Sequence, residues 1–359
     1  TEDTVARLGG DEFIIILEGL ENTMPATAMA DKLLATLTRS FELEGQELFI
    51  GASIGISTYP TDGADATTLL KNADAAMYRS KEEGRNTYRF YNAEMTRSAR
   101  ERLILEANLR QAIAQQEFVL HYQPQVDVAS GGIVGVEALV RWDHPVSGLI
   151  SPARFIPLAE ETGLIIPLGE WVLFTACAQA KSWLEGGAAP GLTVAVNLSP
   201  RQFRQEKLVE HVRAVLDATG LPPALLELEI TESALMDDPE RAVSTLGALK
   251  ELGIRISMDD FGTGYSSLAQ LKRFPIDKLK IDQSFMRGIP RGRSDMEIAA
   301  TIVAMARNLH LKVLAEGVER EEQLSFLQIH GCDSYQGFLF SRPLPAPALT
   351  EMLAGRGRA

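Results

Sequence analysis

The chain has 359 residues, 45% hydrophobic and 23% charged, with a formal net charge of −13. This is the balance of an ordinary globular protein, long enough for two domains. The charge speaks against a nucleic-acid polymer as partner. With no secretory leader and no apolar run of about 18 residues, a cytoplasmic location is expected, with no membrane contact within the chain.

The histidines, His121, His144, His211, His310 and His330, have no zinc spacing, and Cys177 and Cys332 are far apart. Any metal is therefore expected to be held by carboxylates.

Two regions differ in pattern. In the first, residues 1–92, Phe13–Leu17 and Leu48–Ser57 read as strands and Met29–Leu37 and Leu69–Lys81 as helices. Asn86–Tyr91 reads as a last strand. This α/β region is short for a whole domain. Residues 93–116 form one helical pattern through Met95, Leu103, Leu105, Leu109 and Ile113, which joins it to a domain at 117–359.

That domain carries eight strand-like runs: Phe118–Val126, Ile133–Trp142, Thr193–Leu198, Leu226–Thr231, Arg255–Met258, Lys278–Ile281, Lys312–Ala315 and Ser334–Phe338. From the second onward, helical patterns such as Trp171–Leu184, Lys207–Thr219, Ala242–Leu252 and Glu297–Leu309 separate them. Alternation of this kind predicts parallel βα units and a (β/α)8 barrel. Runs one and two are joined only by Asp127–Gly132. That is too short for a parallel crossover, so the barrel is expected to be modified, opening with an antiparallel hairpin.

Catalytic groups of such a barrel gather at the C-terminal strand ends. Those ends carry Glu137 and Arg141, Asn197, Glu229 with Glu232, Asp259-Asp260, Lys280, Glu316 with Glu319, and Gln336. Singly, each reads first as a solvated charge or a helix cap. Jointly they do not, because carboxylates converging on one mouth repel unless cations are present. Oxygen donors with one amide suit Mg2+ or Mn2+, and two such ions suit displacement at phosphorus. The glycines of Asp259-Asp-Phe-Gly-Thr-Gly-Tyr-Ser-Ser267 permit a tight turn, with Ser266 or Ser267 capping the next helix.

These segments resemble the EAL family. Glu137-Ala-Leu139 is one of eight ordered matches. The others are Tyr122-Gln-Pro, Asn197-Leu-Ser, Glu229-Ile-Thr-Glu232, Asp259-Asp-Phe-Gly-Thr-Gly, Leu279-Lys-Ile-Asp282, Ala315-Glu-Gly-Val-Glu319 and Gln336-Gly-Phe. The resemblance implies hydrolysis of cyclic di-GMP to linear pGpG with two Mg2+ or Mn2+ ions per active site. It assigns Glu137, Asn197, Glu229, Asp259, Asp260 and Glu316 as metal ligands. Glu137, Asp260, Lys280 and Glu316 serve the chemistry, with Lys280 assisting the attacking water. Arg141, Gln123, Gln336 and Glu319 are implied on the substrate, and Glu232 is implied to hold the glycine-rich loop. Broken motifs would point to a non-catalytic cyclic di-GMP receptor; these motifs are intact.

The first region resembles the second half of a GGDEF (cyclase-like) domain, through Arg7-Leu-Gly-Gly-Asp-Glu-Phe13, Ser53-Ile-Gly-Ile-Ser, Ala73-Asp-Ala-Ala-Met-Tyr-Arg-Ser-Lys81 and Gly84-Arg-Asn86. The resemblance implies a signature at Gly9, Gly10, Asp11, Glu12 and Phe13, with Lys81 and Arg85 facing a GTP triphosphate. Gly-Gly-Asp-Glu alone also reads as a hairpin turn. The family's earlier segments do not precede this signature here, so cyclase activity is not expected of this chain. GTP tuning of the phosphodiesterase is a third reading, and a homodimer is expected.

Overall fold

The computed structural model describes residues 3–43, 46–187, 191–262 and 268–356. Two compact units divide between Ala107 and Asn108.

In the first unit, β1 (Thr4–Gly9) and β2 (Glu12–Ile16) form an antiparallel hairpin in which Gly9 pairs with Glu12. Helix α1 (Met24–Leu37) follows. The strand expected over Leu48–Ser57 is divided. Its start falls in β4 (Gln46–Leu48), which pairs with β3 (Phe41–Leu43); its end is β5 (Ile54–Ile56). Helix α2 (Ala66–Glu82) begins at Asp65, whose side chain accepts from the Thr68 N–H, as N-cap aspartates do. It packs on β5, where a Cβ on Gly55 would lie 1.9 Å from the Ala73 carbonyl oxygen. The last strand, β6 (Tyr88–Phe90), lies parallel to β5. The strand β1 has no counterpart among the elements read from sequence. Its side chains are exposed, and exposure removes the alternation by which strands are recognised. Helix α3 (Ala93–Gln115) leads onward.

The second unit is a closed barrel. Its strands are β7 (Phe118–Asp127), β8 (Ile133–His144), β10 (Thr193–Leu198), β11 (Leu226–Thr231), β12 (Arg255–Phe261), β13 (Lys278–Ile281), β14 (Lys312–Ala315) and β15 (Ser334–Tyr335). Short β9 (Gly148–Ile150) and β16 (Leu344–Pro345) extend β8 and β7. All consecutive pairs from β8 to β15, leaving β9 aside, are parallel. Only β7 runs the other way, paired antiparallel to both β8 and β15. The expected hairpin is present, and it closes the ring.

Alternation explains the packing. In β11, Leu226, Leu228 and Ile230 are fully buried on one face, while Glu227 and Glu229 are buried on the other. The helices match this apolar outer face. Leu208–Thr219 buries Leu208, Val212, Val215 and Leu216, one stripe of a 3.6-residue period, and stops at Gly220 with φ +66°. The helix Pro152–Thr162, not expected from sequence, contains Pro157. Its Phe155 packs with Phe118 and Trp142 at the β7–β8 end, with ring centroids 5.7 and 5.8 Å away.

The last run ends sooner than expected: Ser334–Phe338 is a strand only over Ser334–Tyr335. Beyond it the chain folds against the segment after β14. The Val318 N–H donates to the Gln336 carbonyl (3.1 Å), and the Leu339 N–H donates to the Val318 carbonyl (3.0 Å). A Cβ at Gly337 would lie 2.0 Å from the Val318 carbonyl oxygen, so this approach needs glycine. Gly337→Ala is expected to lower barrel stability by about 1–3 kcal/mol, measured as a fall in the thermal midpoint, and to displace Gln336.

Candidate active site

The centre of the barrel mouth is Lys280, fully buried on β13. Its Nζ stands 2.5 Å from Glu229 Oε2, 2.6 Å from Glu316 Oε1, 3.2 Å from Asp259 Oδ1 and 3.9 Å from Glu137 Oε2. Four strands or strand ends thus aim carboxylates at one ammonium. Glu137 is further held by Asn197, whose Nδ2 donates to its Oε1 at 2.6 Å. Gln336 Nε2 donates to Glu137 Oε2 and to Gln123 Oε1, the latter at 3.0 Å. Gln123 Nε2 in turn donates to the Ser341 carbonyl at 3.1 Å.

Successive side chains of a strand face opposite ways, so adjacent Asp259 and Asp260 would not both reach one mouth. Between Met258 and Phe261, β12 carries one residue more than β13, where Met258 pairs with Leu279 but Phe261 pairs with Ile281. Such a bulge re-aims side chains. Asp260 has φ +56°, in the left-handed region unusual for a non-glycine residue, and its N–H donates to Asp259 Oδ1 at 2.9 Å. Just beyond, Glu232 Oε2 accepts the Gly262 N–H at 3.1 Å. Thr263–Ser267, including the expected capping serines, lies outside the described residues.

One ammonium does not neutralise four carboxylates, and the titration of the group reflects the shortfall. Burial holds Glu229 well above the ordinary carboxylate range despite Lys280, and the charges of Glu137 and Asp259 add to the rise. Burial also pushes Glu316 up to about 8, with Lys280 pulling the other way. Asp260 is raised by burial and by Asp259. Burial acts to raise Glu137, but Lys280 and the hydrogen bonds from Gln336 and Asn197 outweigh it and lower it. Lys280 stays charged. Burial opposes the ammonium, and Asp259, Glu137, Glu229 and Glu316 more than offset it.

The donor set fits hard divalent cations: buried oxygen ligands with unneutralised negative charge. Among the described residues, no three His, Cys, Asp or Glu side chains already stand as a ready-made cage. The carboxylates close on Lys280 instead, and ion binding would have to turn some of them away from it.

Other residues expected at the site lie differently. Arg141 is half-buried, its guanidinium donating to the Val140 carbonyl, and burial lowers its pKa against the pull of Glu137. Glu319 is exposed, outside the Lys280 cluster, with its backbone N–H donating to Gln323 Oε1. In the first unit Gly10 and Asp11 form the hairpin turn, with Arg7 donating to the Gly10 carbonyl. Glu12 and Phe13 begin β2, and Lys81 and Arg85 are exposed.

A second polar layer beneath the mouth went unread in the sequence. Lys278 Nζ lies 2.7 Å from Glu227 Oε2 and 3.4 Å from Gln125 Oε1, and Gln125 Nε2 lies 3.5 Å from Glu229 Oε1. Its sequence signal is the i, i+2 repetition of Gln123/Gln125, Glu227/Glu229 and Lys278/Lys280, which places each pair on one strand face.

The fold is thus a modified barrel whose mouth gathers buried carboxylates around one lysine. The EAL domain family model matches residues 106–343, and the diguanylate cyclase GGDEF domain model matches residues 1–87. The chain belongs to the EAL family, whose phosphodiesterases are metal-dependent, and carries GGDEF-family sequence ahead of it.

It is 48% identical over 353 residues to the bifunctional diguanylate cyclase/cyclic di-GMP phosphodiesterase MucR of Pseudomonas aeruginosa, covering 98% of this chain and 51% of that protein. It is 46% identical over 351 residues to the cyclic di-GMP phosphodiesterase NbdA of the same organism, covering 98% of this chain and 45% of that one. The chain thus spans about half the length of these curated relatives. A solved structure of PaMucR phosphodiesterase in complex with c-di-GMP superposes with a TM-score of 0.67 at 50% identity, covering 68% of this chain and 99% of that one.

Lys280→Met strands buried carboxylates without their cation. It is expected to destabilise the metal-free barrel by about 3–5 kcal/mol, read by calorimetry. Saturating the wild type with Mn2+, at about a hundredfold over the dissociation constant, is expected to raise stability by about 2.7 kcal/mol. For a domain of this size that lifts the melting midpoint on the order of 5–10 °C.

Proposed function

We propose that the barrel hydrolyses one phosphodiester of cyclic di-GMP, giving linear pGpG. The observation that carries this reading is the convergence of Glu137, Glu229, Asp259 and Glu316 on Lys280 at the C-terminal ends of the strands. A barrel of this kind does its chemistry at that end. The relatives' activities and the cyclic di-GMP bound to PaMucR support it.

Glu137, Asn197, Glu229, Asp259, Asp260 and Glu316 are the residues that would hold two Mg2+ or Mn2+ ions. When bound, such ions neutralise charge at the scissile phosphate and lower the pKa of water. Lys280, kept an ammonium by its neighbours, offsets carboxylate charge and orients the attacking water. Arg141, with its charge at the rim, is suited to a substrate phosphate. The amide of Gln336 holds Glu137 and is itself held by Gln123, and both glutamines are assigned to the substrate. Glu319 contributes from the exposed rim. Glu232 restrains the backbone after β12 through the Gly262 N–H.

Residues 1–92 are read as a partial GGDEF domain, with 93–116 as the linking helix. There the Gly9–Phe13 signature with Lys81 and Arg85 is proposed to bind GTP and tune the barrel. A homodimer is proposed. A cytoplasmic location is proposed for this chain. Among the described residues no helix is long and apolar enough to cross a membrane.

The test is incubation with cyclic di-GMP and Mn2+ or Mg2+, with pGpG followed by chromatography. Wild type is expected to form pGpG only with the ion present. Glu137→Ala is expected to lose at least about a hundredfold, since even outer partners of metal ligands are worth 10–100-fold. Binding without hydrolysis in the wild type would replace this reading by a receptor. A rate insensitive to GTP would remove the tuning proposal.

A further inference from the structure

The layer beneath the mouth holds an ion pair, one partner buried and the other partly exposed, that the proposed chemistry leaves unused. Glu227 is 1% exposed, and its carboxylate is paired with Lys278, whose side chain is 14% exposed. A third residue, Gln125, is 1% exposed and lies between this pair and the mouth. Its carbonyl oxygen faces Lys278 Nζ at 3.4 Å, and its NH2 faces Glu229 Oε1 at 3.5 Å.

A primary amide has one end that accepts and one that donates. Turned the other way, Gln125 would aim its NH2 at an ammonium and its oxygen at a carboxylate, and both contacts would repel. The Glu227–Lys278 pair therefore selects one of the two amide orientations, and the selected one presents a donor to Glu229. Glu229 Oε2 is occupied by Lys280, so Gln125 supplies the contact at the other oxygen. The space around Gln125 is also tight. A Cβ at Gly135, its partner across the β7–β8 pair, would lie 3.0 Å from Gln125 Oε1.

We propose that Gln125 is a positioning residue for the metal site, holding Glu229 in place through an amide whose direction is set by the Glu227–Lys278 ion pair. The proposal rests on Glu229 being a ligand, as in the reading above. Side chains that orient metal ligands from behind typically change metal affinity by about 10–100-fold.

Three proteins test it: wild type, Gln125→Leu, and the double variant Glu227→Gln/Lys278→Met, which removes the ion pair without leaving a lone buried charge. For each, Mn2+ affinity is measured by titration of the metal-free chain, with the metal-free melting midpoint and the rate at saturating Mn2+ alongside. Gln125→Leu is expected to weaken Mn2+ binding about tenfold, with the rate largely restored at saturating Mn2+. The double variant is expected to shift affinity in the same direction. Mn2+ affinities within twofold of wild type in both would overturn the proposal, whatever happens to the midpoint. Should Gln125→Leu fail to fold, the double variant alone decides. A wild type that binds no Mn2+ would instead refute the ligand assignment on which the proposal stands, a result separable from the other two.

Discussion

Everything at the mouth of this barrel is arranged around a single buried ammonium. An ion pair taken out of water is stable only when its charges are matched and its hydrogen bonds complete. Lys280 has its own charge compensated, by Glu229 and Glu316 at short range and by Asp259 and Glu137 farther out, while the four carboxylates together stay in excess. Removing the lysine would leave uncompensated charge, and removing a carboxylate would leave its neighbours less restrained. The positions of Asn197, Gln336 and Gln123 follow from the same demand, because Glu137 needs donors that Lys280, at 3.9 Å, supplies only weakly.

The fold provides this arrangement through simple alternation. Parallel strands covered by helices are buried on both faces, so their inner residues lie largely out of bulk solvent. Here the inner positions of β11 and β13 are charged, and the cluster is deep enough for each carboxylate to feel its neighbours strongly. Burial, reinforced by the neighbouring carboxylates, raises Glu229, Glu316 and Asp260, and the same buried crowding of oxygen groups suits the site to divalent cations.

Much of this was legible in the sequence because the signals were local. Thr193–Leu198, Leu226–Thr231, Lys278–Ile281 and Lys312–Ala315 are strands with the limits their apolar runs suggested. The brevity of Asp127–Gly132 was enough to foresee an antiparallel start. What was not legible depended on pairing. The division of Leu48–Ser57 into β4 and β5, the early end of β15 and the bulge in β12 are set by partners distant in sequence. The role of Lys280 as the common partner of four carboxylates also needed the barrel to close. So did Gln125, whose importance lies in what stands on either side of it.

The irregularity in β12 has a consequence for how such a site can change by descent. The two adjacent aspartates share the mouth because one extra residue sits between Met258 and Phe261. Loss of a single codon there would delete one of the two aspartates and let the strand return to regular pairing, with the other still facing the interior. The barrel would keep its hydrophobic outer face and its closure. Donor number at this mouth is therefore a trait that a lineage can shed in one step while keeping the scaffold intact.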